Sequence, residues 1–129
     1  FYHMKAKNLK EMARQLLFNF NGKVPDNMED LLTLSGIGRK TANLVLGDVY
    51  GKPAVVTDTH FIRITGRLGL TKNKEPAKVE KDLVKLLPPD KSSRFCHQIV
   101  QFGRDVCSAR KPKCSECSLN YFCPTYQNK

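Results

Sequence analysis

Leu31-Leu32-Thr33-Leu34-Ser35-Gly36-Ile37-Gly38-Arg39-Lys40-Thr41-Ala42 sets an apolar run against a basic one across two closely spaced glycines. The pattern reads as two helices joined by a Gly-x-Gly hairpin. Gly36 and Gly38 permit positive φ and let the backbone approach a ligand with no Cβ in the way. The N–H groups that open the following helix then point outward, an arrangement suited to a phosphate. Ile37 is expected to anchor the hairpin by packing inward, and Arg39 to add a charge-assisted phosphate contact.

On either side of this hairpin the chain is patterned for helices and shows almost no strand-like alternation. Leu9, Met12, Ala13, Leu16, Leu17 and Phe20 follow three-and-four spacing, which predicts an amphipathic helix over about residues 5–20, stopped at Asn21-Gly22. Asp26 or Asn27 can cap a short second helix, and a third opens at Arg39 and runs to about Tyr50. Beyond the extended stretch Ala54-Val55-Val56, Asp58 is placed to cap a helix through Phe61, Ile64 and Leu68. Another begins near Glu75-Pro76, and a last one opens at Asp90 or Ser92 and carries Phe95, Ile99 and Phe102. Six helices with short joins predict an all-α fold, an orthogonal helical array rather than a long parallel bundle.

The 129 residues carry 22 Lys and Arg against 12 Asp and Glu, a formal charge of +10 spread along the chain. A folded basic surface of this kind points to a polyanion, with nucleic acid ahead of an anionic membrane because neither a basic amphipathic helix nor a lipidation motif stands out. No apolar run reaches a membrane-spanning length, and no secretory signal is expected.

Five cysteines stand at 96, 107, 114, 117 and 123. The odd count, the helical body and the lack of an export signal favour reduced thiols that hold a metal or cluster over disulfides. Cys107, Cys114, Cys117 and Cys123 form one close pair with two wider arms, a spacing that leaves both tetrahedral zinc and a [4Fe–4S] cluster open. Cys96, on an apolar helix face, reads as a core residue. Arg110, Lys111 and Lys113 lie between the first two of the four cysteines, in a loop stiffened by Pro112.

Three motifs in this order and at these separations give a closer resemblance. They are Leu34 to Asn43, then Val56-Thr57-Asp58-Thr59-His60, then the cysteine loop, and over its whole length the chain resembles the endonuclease III family of helix–hairpin–helix DNA glycosylases and AP lyases. Ser35 departs from the proline usual there, a change that removes stiffness and no chemistry. The resemblance implies a [4Fe–4S] cluster on Cys107, Cys114, Cys117 and Cys123, with double-stranded DNA carrying damaged bases or abasic sites as the partner. It assigns Lys40 as the Schiff-base nucleophile and Asp58 as the catalytic carboxylate that assists it. It also places Gly36, Gly38, Arg39 and His60 at the DNA, where Arg110, Lys111 and Lys113 are expected to join them. Adenine glycosylases similar to this chain elsewhere generally lack lysine at position 40, so Lys40 favours action on oxidised pyrimidines.

By the same resemblance residues 1–57 form part of a helical-barrel domain, with the helix–hairpin–helix at about 27–50. Residues 58–129 form a helical cluster domain whose cysteine loop spans 107–123. Further helices are expected ahead of residue 1. They would complete the lesion pocket and cover the apolar stripe of the first helix, either themselves or through another chain. Phe1 is the candidate wedge that fills the gap left by a flipped base. A bacterial protein of this kind is expected with the nucleoid in the cytoplasm, and a eukaryotic one in the nucleus or mitochondrion. The competing reading is a non-catalytic helix–hairpin–helix DNA-binding fragment that lacks a complete lesion pocket.

Overall fold

The structure, a computed structural model, describes residues 2–128. Phe1, the candidate wedge, lies outside the described residues. Seven α-helices are present among them, and no strand: α1 Tyr2–Asn19, α2 Met28–Leu31, α3 Arg39–Leu44, α4 Thr59–Arg67, α5 Pro76–Leu86, α6 Ser92–Asp105 and α7 Pro124–Gln127. The chain divides between Lys52 and Pro53 into two compact units. No helix among the described residues is long and apolar enough to cross a membrane.

The first unit is built around α2, the hairpin and α3. Asn27 caps α2 by accepting the Asp30 N–H at 2.8 Å, one of the two caps expected from the sequence. Leu31, Leu34, Ala42 and Leu46 form its buried apolar centre. α1 ends where Asn21 and Gly22 take positive φ, 54° and 77°, the stop predicted at that pair. No residue of α1 is buried, and Leu9 and Phe18 stand 64% and 77% exposed.

The third helix departs from the regular α-helix expected as far as Tyr50. It is α-helical to Leu44 and continues as a π-helical turn over Val45–Val49, closed by a Tyr50 N–H to Val45 C=O bond at 3.4 Å. Tyr50 Oη donates to the Val24 carbonyl, and Lys52 Nζ reaches the Asp26 carbonyl at 2.5 Å. Both tie the widened end of this helix to the loop after α1.

The second unit centres on α4 and α6. Phe61, Ile64, Val79 and Leu83 are completely buried, joined by Val55, Cys96 and Ile99 in one cluster. Phe61 meets the edge of Phe95 with ring centroids 6.1 Å apart. A Cβ on Gly103 would come within 2.8 Å of Ile64 Cδ1, so glycine is what lets α6 lie this close to α4. Phe61→Ala is expected to lower unfolding stability by about 3–5 kcal/mol. Leu9→Ala, at an exposed position, should change it by no more than about 0.5 kcal/mol in denaturant titrations of the two variants.

Of Asp90 and Ser92, the two residues at which the last helix was expected to open, Ser92 is the first residue of α6. Lys91 occupies the cap position, and Ser92 is buried. Its Oγ accepts the Ala54 N–H at 3.1 Å and donates to the Pro89 carbonyl at 3.0 Å. Cys96 Sγ similarly accepts the Val56 N–H at 3.3 Å. The extended backbone before Asp58 is thus held by α6 through side chains rather than by a strand partner, which satisfies its buried N–H groups.

Candidate nucleic-acid interface and cluster site

The hairpin is a tight turn in which the Leu34 carbonyl accepts the Ile37 N–H at 3.2 Å. Gly36 occupies its third position with φ of +79°, a conformation that glycine adopts without strain. Gly38 differs in not using the positive φ that glycine permits. It is extended, with φ of −97° and ψ of −178°, and a Cβ there would meet nothing within 4 Å. Nothing inside the protein therefore requires glycine at 38. Gly36, Gly38, Arg39 and Lys40 are all exposed, and Ile37 is half-buried beneath them. Lys40 is the second residue of α3, which opens at Gly38 with no side-chain cap.

Asp58 is the N-cap of α4, its Oδ1 accepting the Phe61 N–H at 2.7 Å. The bond fixes one carboxylate oxygen and the orientation of the group. His60, two residues further on, is half-buried against α6, with Nδ1 near Gly103. Neither His60 Nδ1 nor Arg63 Nε, both buried, has a hydrogen-bond partner among the described residues.

Cys107, Cys114, Cys117 and Cys123 all line one cavity of about 200 Å³. Among the described residues no three His, Cys, Asp or Glu side chains converge as they would on a single metal ion. Donors already face two of the sulfurs. Arg67 Nη1 lies 3.2 Å from Cys107 Sγ, and the Leu119 N–H lies 3.4 Å from Cys117 Sγ. Four thiols around a shared cavity, with N–H donors aimed at sulfur, fit a multi-iron cluster better than one tetrahedral ion.

The ends of this loop are fastened to the last turn of α4. The Arg67 guanidinium also donates to the Ser108 and Ala109 carbonyls at 2.8 and 3.1 Å, and Arg63 Nη2 donates to the Cys107 carbonyl at 2.9 Å. At the other end, Thr125 Oγ1 donates to the Arg67 carbonyl at 2.7 Å. The Lys113 N–H closes the segment back onto the Val106 carbonyl at 3.0 Å, which leaves Arg110, Lys111 and Lys113 exposed on its outside. Lys111 itself has a positive φ of 52°.

Residues 1–89 match the family model described as HhH-GPD superfamily base excision DNA repair protein. The chain belongs to this family. Residues 107–123 match a second model, the iron–sulfur binding domain of endonuclease III, so the loop is the site of a [4Fe–4S] cluster. Among similar HhH-GPD proteins, endonuclease III of Synechocystis sp. is 48% identical over 98% of this chain and 58% of its own length. That of Thermotoga maritima is 43% identical over 99% and 60%. The chain thus spans rather less than two thirds of these curated relatives.

Two solved structures share its fold closely. A non-covalent endonuclease III–DNA complex has a TM-score of 0.91 at 37% identity, covering 98% of this chain and 60% of that one. A trapped endonuclease III–DNA covalent intermediate, the estranged-adenine complex, has a TM-score of 0.90 at the same identity and coverage.

Arg63 and Arg67 are the functional residues that the sequence reading passed over. The available signal was their spacing. Two arginines four apart, on a helix whose other face carries Phe61, Ile64 and Leu68, place two long donors on one side beside a buried face. Nothing in that spacing shows that they grip the cysteine loop rather than water.

Proposed function

We propose that the chain is the hairpin- and cluster-bearing part of a base-excision DNA glycosylase with AP-lyase activity on oxidised pyrimidines in double-stranded DNA. The observation that carries this reading is Lys40, exposed as the second residue of the helix that follows the hairpin, in a chain of the HhH-GPD family. Its Nζ, as the free amine, attacks the sugar C1′ while the bond to the damaged base breaks and the base leaves. The C1′–O4′ bond then opens, O4′ taking the proton that Nζ gives up, and the resulting iminium acidifies the C2′ hydrogen. Loss of that proton expels the 3′-phosphate and nicks the strand, and water then releases the enzyme from the imine. Asp58, oriented by the Phe61 N–H, is the carboxylate that assists, stabilising positive charge at C1′.

Gly36, Gly38 and Arg39 bind backbone phosphate beside the lesion, with His60 towards the same strand. Cys107, Cys114, Cys117 and Cys123 hold the cluster, which supplies a rigid clip for the basic loop. Residues 1–57 and 58–129 are proposed as the hairpin-bearing and cluster-bearing domains. The test of the whole reading is borohydride trapping on abasic duplex DNA, which converts a lysine imine into a permanent adduct.

Arg110, Lys111 and Lys113 extend the phosphate footprint. Each phosphate neutralised contributes about −0.9 to the slope of log K against log salt on duplex DNA. Replacing the three together by glutamine should therefore make the slope shallower by about 1–3. An unchanged slope removes the loop from the interface.

A second reading is favoured by α1, which buries no residue and leaves Leu9, Leu17 and Phe18 exposed. In this reading the chain binds DNA without a complete lesion pocket. Binding of damaged-base duplex with neither base release nor nicking of abasic duplex would support it.

A further inference from the structure

The hairpin is held from one side by α1. Gln15 spans two backbone groups of the turn, its Nε2 donating to the Thr33 carbonyl at 3.1 Å and its Oε1 accepting the Ser35 N–H at 2.7 Å. One turn pair earlier on α1, Asn8 Oδ1 accepts from Ser35 Oγ at 3.0 Å. Asn8 also packs under the glycine, since a Cβ on Gly36 would come within 3.1 Å of Asn8 Cβ. Asn8, Gln15 and Ser35 are all half-buried. Ser35 is the second residue of a turn whose third is glycine at positive φ, a place that proline fills well but where proline can donate neither bond.

We infer that Asn8 and Gln15 are positioning residues for the hairpin, clasping Ser35 so that the Gly36–Gly38 backbone keeps its phosphate-binding shape. The inference rests on the reading of the hairpin as a DNA-binding element. Ser35 supplies through two hydrogen bonds the rigidity that a proline ring would supply through φ. The clasp spans 18 to 27 residues of sequence, so an otherwise exposed helix acquires a reason to lie where it does.

The test is the affinity of the whole chain for a short duplex containing a tetrahydrofuran abasic analogue, measured with a graded series at position 35. Ser35→Thr keeps both donors and should bind within about twofold, and Ser35→Ala should bind about threefold more weakly. Gln15→Ala should weaken binding by about five- to tenfold, whereas Ser35→Pro should bind within about twofold and the double variant little more weakly than Ser35→Pro, because the ring fixes the φ that the lost bond held. The salt slope should stay constant throughout, since no phosphate contact is removed. Amide exchange at Ser35 and Ile37 should accelerate in Gln15→Ala while the α3 core remains protected.

Unchanged affinity in Gln15→Ala, or a Gln15→Ala loss that Ser35→Pro does not relieve, would overturn the clasp. Gly38→Val separates that failure from failure of the underlying reading, because its Cβ meets no protein atom within 4 Å and its φ suits any residue. Weakened binding in Gly38→Val with intact binding in Gln15→Ala sinks the clasp alone. Intact binding in Gly38→Val removes the hairpin from the interface and the inference with it.

Discussion

With Lys40→Gln, borohydride trapping on abasic duplex should fall below about 1% of the unaltered chain's yield, while affinity for the same duplex stays within about threefold. The asymmetry follows from what the substitution removes. The nucleophile disappears, but the hairpin backbone that cradles phosphate does not depend on the lysine side chain. Glutamine keeps much of the length and the helix propensity at the second position of α3, so folding is spared. A general loss of binding would instead make Lys40 a phosphate contact. Efficient trapping by the variant would assign the chemistry to another amine.

Cys114→Ser and Cys117→Ser should each abolish the cluster, removing about four iron and four sulfide per chain and the brown colour that accompanies them. Amide exchange should rise through residues 107–123, because the loop then depends on its hydrogen bonds to α4 and on few buried apolar contacts. The Phe61–Ile64–Leu83 core should stay protected. Cys96→Ser is the contrasting variant. It keeps the cluster but puts a hydroxyl into the apolar core, at a cost of about 1–3 kcal/mol. A colourless chain with one zinc per molecule would contradict the cluster assignment.

The parts of this protein legible in its sequence are those set by local rules. Apolar spacing located the longer helices, and Asn27 and Asp58 act as the caps that their side chains suggested. The Gly36 turn and the grouping of the four cysteines were visible in residue type and spacing. What escaped the sequence depends on contacts distant along the chain. The π-helical turn after Leu44 ends at a tyrosine and a lysine bound to the loop at Val24 and Asp26. Ser92 has the chemistry of a cap, yet the Ala54 backbone 38 residues earlier claims its hydroxyl. The grip of Arg63 and Arg67 on the cysteine loop reaches over 40 residues, and Gln15 meets the hairpin 20 residues away. In each case residue type offered a hydrogen-bonding group, and only the fold named its partner.

The most direct test of the central claim is to reduce the chain with borohydride on abasic duplex, digest the adduct and identify the modified residue by mass spectrometry. The account predicts a single sugar-bearing peptide with the modification on Lys40. Modification of the N-terminal amine or another lysine, or no adduct from a chain that demonstrably binds the duplex, would contradict it.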